Sequence, residues 1–141
     1  MATAALVEVD REMVARMRSD ATLRGITGAD PGDATAARVY RGYPTALLAN
    51  PQSASFPRIT LMRVAGDIRR PGRGTVRGRV DLWSYDSIAE LDAMEVRVVE
   101  LFDEVHWTVG GVHFYAFSVG SSERTGRAPR SRLHTFEVQV T

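Results

Sequence analysis

The alternation of apolar and polar positions is clearest between Thr75 and Glu104. In Thr75–Tyr85, Val76, Val80 and Leu82 point one way, and Arg77, Arg79, Asp81 and Trp83 the other, the period-two signature of a half-buried strand. Ser87-Ile-Ala-Glu90 then reads as a capping box, in which hydroxyl and carboxylate each satisfy a free backbone N–H. Beyond it Leu91, Met94, Val98, Leu101 or Phe102, and Val105 recur at spacings of three and four. They form a stripe that predicts a helix lying on a sheet.

The same reading extends along the chain. Ala4–Ser19 predicts a first helix with Leu6, Val9, Met13 and Met17 on one face, and Gly25 and Gly28 end any continuation. Residues 28–36 read as a loop by composition and Ala37–Arg41 as a short strand. Tyr43–Gln52 is ambiguous: Pro44 can open a helical turn that Pro51 closes. Phe56–Ala65 predicts a strand covered in part on both faces, with Pro57 at its start. Residues 65–74 read as an arginine-studded hairpin connection, making this strand antiparallel to the next. Gly110-Gly111 between His106–Val109 and Val112–Val119 signals a tight hairpin, because favoured two-residue turns need positive φ. Residues 120–131 read as a mobile polar loop, and His134–Val140 as a half-buried strand. The order helix, strand, hairpin, helix, hairpin, strand implies one α+β domain over residues 1–141, a largely antiparallel sheet with two helices on the same face.

Composition changes this picture little: 141 residues, 44% apolar and 25% charged, suit one globular domain with a real core. No long apolar run predicts a membrane span, and acids within the first residues do not fit a signal peptide. Without cysteine there is no disulfide or thiolate metal site. Charge says more. Every basic residue is arginine, as a GC-rich genome would give. Arg58–Arg79 holds seven arginines against Asp67, whereas Asp81–Glu104 holds eight acids against Arg97. Arg124, Arg127, Arg130 and Arg132 form a second basic cluster. Adjacent surfaces of opposite sign suit either an identical neighbour or a polyanion.

No catalytic constellation stands out. His106, His113 and His134 lack metal-ligand spacing; His113 and His134 can face each other across strands, though ordinary sheet histidines are the plainer reading. There is no G-x-S-x-G and no phosphate loop, and Ser118, Ser121 and Ser122 fall in or beside the polar loop. The loop with Arg69, Arg70 and Arg73 is either a solvated turn or a contact for phosphates or an acidic protein face. It lacks the interleaved aromatics that stack single-stranded bases, which leaves non-specific contact with DNA as its nucleic-acid option. On the acidic helix, Asp92, Val96, Val99 and Asp103 share a second face. The valines there either complete a broad buried face or mark a contact surface, which on a head-to-tail neighbour closes into a ring when the rotation permits.

Several stretches together resemble the tail terminator, or tail completion, proteins of long-tailed bacteriophages. They are the first helix with Thr22-Leu-Arg-Gly25 and Ala37-Arg-Val-Tyr40, the strands Phe56–Leu61 and Gly78–Ser84, the helix Ile88–Glu104, and a last strand from near Arg132. The 28–36 loop is longer than the turn expected there. The resemblance implies a structural virion protein, not an enzyme, with no cofactor. It would form a hexameric ring that caps the tail tube, ends tail polymerisation and provides the head–tail joining surface. Implied partners are the tail tube protein, head connector or neck proteins, and passing DNA through non-specific contact, with no membrane. Arg69, Arg70, Arg73, Arg127 and Arg130 would face lumen or tube, and Asp92, Val96, Val99 and Asp103 a subunit or connector. Another neck or head-completion protein, and a small arginine-rich DNA-binding domain, are the competing readings.

Overall fold

A computed structural model describes the backbone of residues 2–70, 73–124 and 128–141, and the side chains of 9–62, 74–124 and 128–141. Four α-helices occur among the described residues: α1 (Ala2–Arg18), α2 (Ala21–Thr27), α3 (Thr45–Ala49) and α4 (Ile88–Phe102). The strands are β1 (Ala29–Asp30), β2 (Asp33–Ala37), β3 (Val39–Arg41), β4 (Arg58–Arg70), β5 (Arg73–Ser84), β6 (Val105–Val109), β7 (Val112–Arg124) and β8 (Arg130–Val140). Six of them form one sheet in the order β3-β4-β5-β8-β7-β6, and β1 and β2 make a separate ribbon. The β3–β4 pair is parallel, with Val39 opposite Ile59, and the other pairs are antiparallel.

The alternation in β5 is realised as the sequence predicts. Val76, Val80 and Leu82 are fully buried on the face that carries the helices. Gly78 lies in the same row, and a Cβ there would sit 3.6 Å from Met13 Sδ of α1. Its partner across the ladder, Phe136, meets Phe102 of α4 edge-on at 5.7 Å. Both long helices therefore cover one face, α1 through Val9, Met13 and Met17 and α4 through Leu91, Met94, Val98 and Phe102. The stripe selects Phe102 over Leu101, which is only part-buried. Leu6 lies outside the described side chains.

The opposite face departs from the half-buried expectation at one corner, where Thr60, Asp81 and Trp83 are also buried. Trp83 Nε1 donates to Thr60 Oγ1 at 2.9 Å, and the Tyr43 ring stands edge-on to Trp83 at 5.7 Å. Arg124 lies over both rings and donates to the Tyr43 hydroxyl at 2.8 Å. Burial pushes the Asp81 carboxyl above its ordinary range, against the pull of Arg79 at 2.8 Å.

Four expectations need correction. Two helices were expected and four are present among the described residues: Asp20 accepts from Leu23 N–H and caps α2, which runs through Gly25 and stops only at Gly28 (φ 81°), and the ambiguous Tyr43–Gln52 stretch holds α3. The 28–36 loop contains the β1–β2 ribbon turning at Pro31-Gly32, too short to show alternation and held by Arg18 to Asp30 and Arg24 to the Thr35 carbonyl. The 65–74 connection is mostly strand, since β4 reaches Arg70 and β5 begins at Arg73. Most of the polar 120–131 segment is strand as well, β7 continuing to Arg124 and pairing with β8 to Ser131. Both faces of this end of β7 are exposed, so no alternation marks it as a strand.

The capping box is a relay of three residues. Ser87 Oγ accepts from Glu90 N–H at 3.2 Å, but the Glu90 carboxylate accepts from Ser84 Oγ at 2.9 Å, and Ser84 Oγ in turn accepts from Ser87 N–H at 3.0 Å. The last buried residue of β5 thus joins the cap and fixes where α4 leaves the sheet.

Candidate functional site

Helix α4 is tied to the sheet by an arginine on β8. Arg132 donates to Asp92 Oδ1 at 2.6 Å, to Glu123 Oε1 at 2.7 Å and, more weakly, toward Glu95 Oε1 at 3.5 Å. A bulge between Ser118 and Gly120 of β7 makes this possible. It shifts the register by one residue, so that Glu123 comes opposite Arg132. Desolvation works against the guanidinium's charge, but the carboxylates of Asp92 and Glu123 outweigh it and hold its pKa above the ordinary value.

Next to it, His134 is buried, with Nε2 2.6 Å from Ser118 Oγ and Nδ1 3.3 Å from Glu95 Oε2. Serine, histidine and glutamate in line have the order of a nucleophile relay. The Ser118 amide, which such chemistry would turn toward an oxyanion, instead donates to Asp103 Oδ1 at 2.8 Å. The line joins α4 to β7 and β8.

These contacts place the predicted surface residues. Asp92 and Asp103 are exposed yet engaged within the chain, by Arg132 and the Ser118 amide. Val99 packs against the core, whereas Val96 is 60% exposed. Arg130 pairs with Asp86 at 2.8 Å. The basic cluster of the sequence is dispersed: Arg124 caps Tyr43 and Trp83, Arg130 holds Asp86, and Arg132 faces α4. Arg127 and the side chains of Arg69, Arg70 and Arg73 lie outside the described residues.

The pairing of His113 with His134 is not found. His113 Nε2 lies 3.0 Å from His106 Nδ1, and the His106 ring stacks on Tyr115 with centroids 4.3 Å apart. The signal was present in the sequence: a two-residue turn at Gly110-Gly111 sets Thr108 opposite His113 and His106 opposite Tyr115, leaving the histidines diagonal neighbours. Among the described residues no three of His, Cys, Asp and Glu gather as a metal site, and no helix is long and apolar enough to cross a membrane.

No family model matches the chain, and no curated protein matches its sequence. In three dimensions it is similar to a chain from the virion of a native gene transfer agent particle, with a TM-score of 0.65. The likeness covers 91% of this chain and 90% of that one, at 14% sequence identity. At that identity the likeness is one of fold: an α+β domain with a curled, mixed six-stranded sheet.

Proposed function

We propose that the protein is a structural component of a phage-like virion, and within that class a tail terminator. As a ring, in the family's case a hexamer, it would cap the tail tube, end its polymerisation and present the surface that head connector or neck proteins join. The observation that carries this reading is the fold likeness to a virion chain over nine-tenths of both molecules. The sequence resemblance to tail terminators supports the finer role. A third support is Val96, an exposed valine in the middle of a helix otherwise bound down to its own sheet. The reading assigns no catalytic step and no cofactor, in keeping with the Ser118 amide being taken up by Asp103.

Light scattering over a concentration and salt series tests the ring, and co-sedimentation with purified tail tubes or portal rings tests the partner. A closed oligomer that binds tube ends supports the terminator. Binding to portal rings alone makes the protein another neck component. A monomer that binds neither, but binds DNA with steep salt dependence lost on replacing Arg69, Arg70 and Arg73, overturns the reading in favour of a DNA-binding domain.

A further inference from the structure

We infer that the β6–β7 hairpin carries a two-histidine chelating site for a divalent transition ion of the zinc, nickel and copper class, formed by His106 Nδ1 and His113 Nε2. The two nitrogens lie 3.0 Å apart on neighbouring strands. A metal–nitrogen bond of about 2.0–2.1 Å with a right-angled or tetrahedral opening puts two ligand nitrogens about 2.9–3.4 Å apart. The observed spacing falls within that window, so a small swing of either ring admits the ion.

The surroundings orient both rings. Thr108 Oγ1 lies 3.4 Å from His113 Nδ1. In the tautomer with its proton on Nδ1, His113 turns the Nε2 lone pair toward His106, the usual role of a hydroxyl behind a metal-bound imidazole. His106 is held from one side by the Tyr115 ring, nearly parallel at 17°. The hairpin beneath turns tightly: Gly110 and Gly111 take φ of 56° and 81°, the left-handed values that a two-residue turn requires. Without metal, one N–H bridges the two nitrogens. Binding replaces that bridging proton with the ion, and the proton moves to the far nitrogen of His106, which stays a neutral imidazole. His106 is exposed and the pair faces solvent, so the remaining coordination positions fall to water or to donors from another molecule. Imidazole nitrogens without thiolates or carboxylates select borderline ions over calcium or magnesium.

The experiment follows the ring C–H resonances of all three histidines by NMR during titration with zinc chloride. His134, buried between Ser118 and Glu95, is the internal control. The expected result is a saturating one-to-one shift of His106 and His113 with His134 unmoved, and at least a tenfold weaker response in both His106→Gln and His113→Gln. Both positions face solvent, and circular dichroism verifies that each variant is folded. Movement of only one ring, a response that survives either substitution, an equal shift at His134, or none at millimolar zinc would each overturn the site.

Discussion

Asp20 does two jobs, and substitutions can separate them. Its Oδ2 accepts from Leu23 N–H at 2.9 Å to cap α2, while Oδ1 and Oδ2 accept from Arg97 Nη2 and Nε of α4 at 2.6 and 3.0 Å. The carboxylate is only 9% exposed, so the fork is largely shielded from water. Asparagine caps as well as aspartate but carries no charge, so Asp20→Asn should lose about 1–1.5 kcal/mol, roughly half the worth of charge-assisted bonds to one partner. Asp20→Ala loses the cap as well, about 1–1.5 kcal/mol more, for a total of about 2–3 kcal/mol. At this chain length those losses correspond to falls in Tm of about 3–5 °C and about 6–9 °C. Urea denaturation followed by tryptophan fluorescence, with thermal melts by circular dichroism, measures both. The hydrogen bonds from Arg97 hold the Asp20 carboxyl below its ordinary value. The stability it contributes is therefore complete above the ordinary carboxylate value and is lost as pH falls through the lowered folded value. The gap between wild type and Asp20→Asn should close in that acid window. No loss in Asp20→Asn, or strict additivity of Asp20→Ala with Arg97→Ala, would show that the fork contributes nothing, and equal losses for Asn and Ala that the cap does not; either refutes the reasoning.

Phe102→Ala empties the point where α4 meets Trp107 and Phe136, and should cost about 3–5 kcal/mol in urea titration. Trp83→Phe removes the donor to buried Thr60 and should cost about 1–2 kcal/mol, with loss of near-ultraviolet dichroism from that corner. Gly111→Ala forces a side chain into φ 81° and should lower stability by about 1–2 kcal/mol, read as a shift in urea midpoint with unchanged slope. Val96→Glu should leave stability within about 0.5 kcal/mol yet abolish self-association or tube binding by sedimentation, whereas unchanged assembly would remove Val96 from the contact surface.

The elements with strong periodicity could be read from sequence because burial on one face imposes it. Val76, Val80 and Leu82, and Leu91, Met94, Val98 and Phe102, are where the alternation and the helical stripe put them. Elements without a continuous apolar face were invisible for the same reason. The β1–β2 ribbon is built of Ala, Asp and Thr, and the far end of β7 is glycine, serine and charge, so their pairing rests on backbone bonds to neighbours that the local sequence does not name. The α4 residues Asp92, Val96, Val99 and Asp103 do share a stripe, but periodicity cannot say that Arg132 and the Ser118 amide already occupy the two acids. That depends on a one-residue bulge in a strand about twenty positions away along the chain. The histidine pair was within reach of the sequence through hairpin register, whereas His113 and His134 lie on neighbouring strands but far out of register, His134 facing Ser121 and His113 bonding Thr141.

The strand order has a kinetic consequence. β8, the last of the described strands along the chain, lies in the middle of the sheet between β5 and β7. Its pairing with β5 joins residues such as Arg77 and Glu137, with α4 and the β6–β7 hairpin strung between them. Before β8 inserts, β4–β5 and β6–β7 are two separate hairpins with unpaired inner edges, and neither has enough partners to persist alone in water. The closing step must overcome the entropy of a long loop, which places folding in the slow range of sheet proteins rich in distant contacts. During synthesis the inner edges of β5 and β7 wait unpaired until the central strand emerges. Aggregation competes with folding in that interval, and slow expression in the cold, with chaperone present, should raise the soluble yield more than any change to the finished surface.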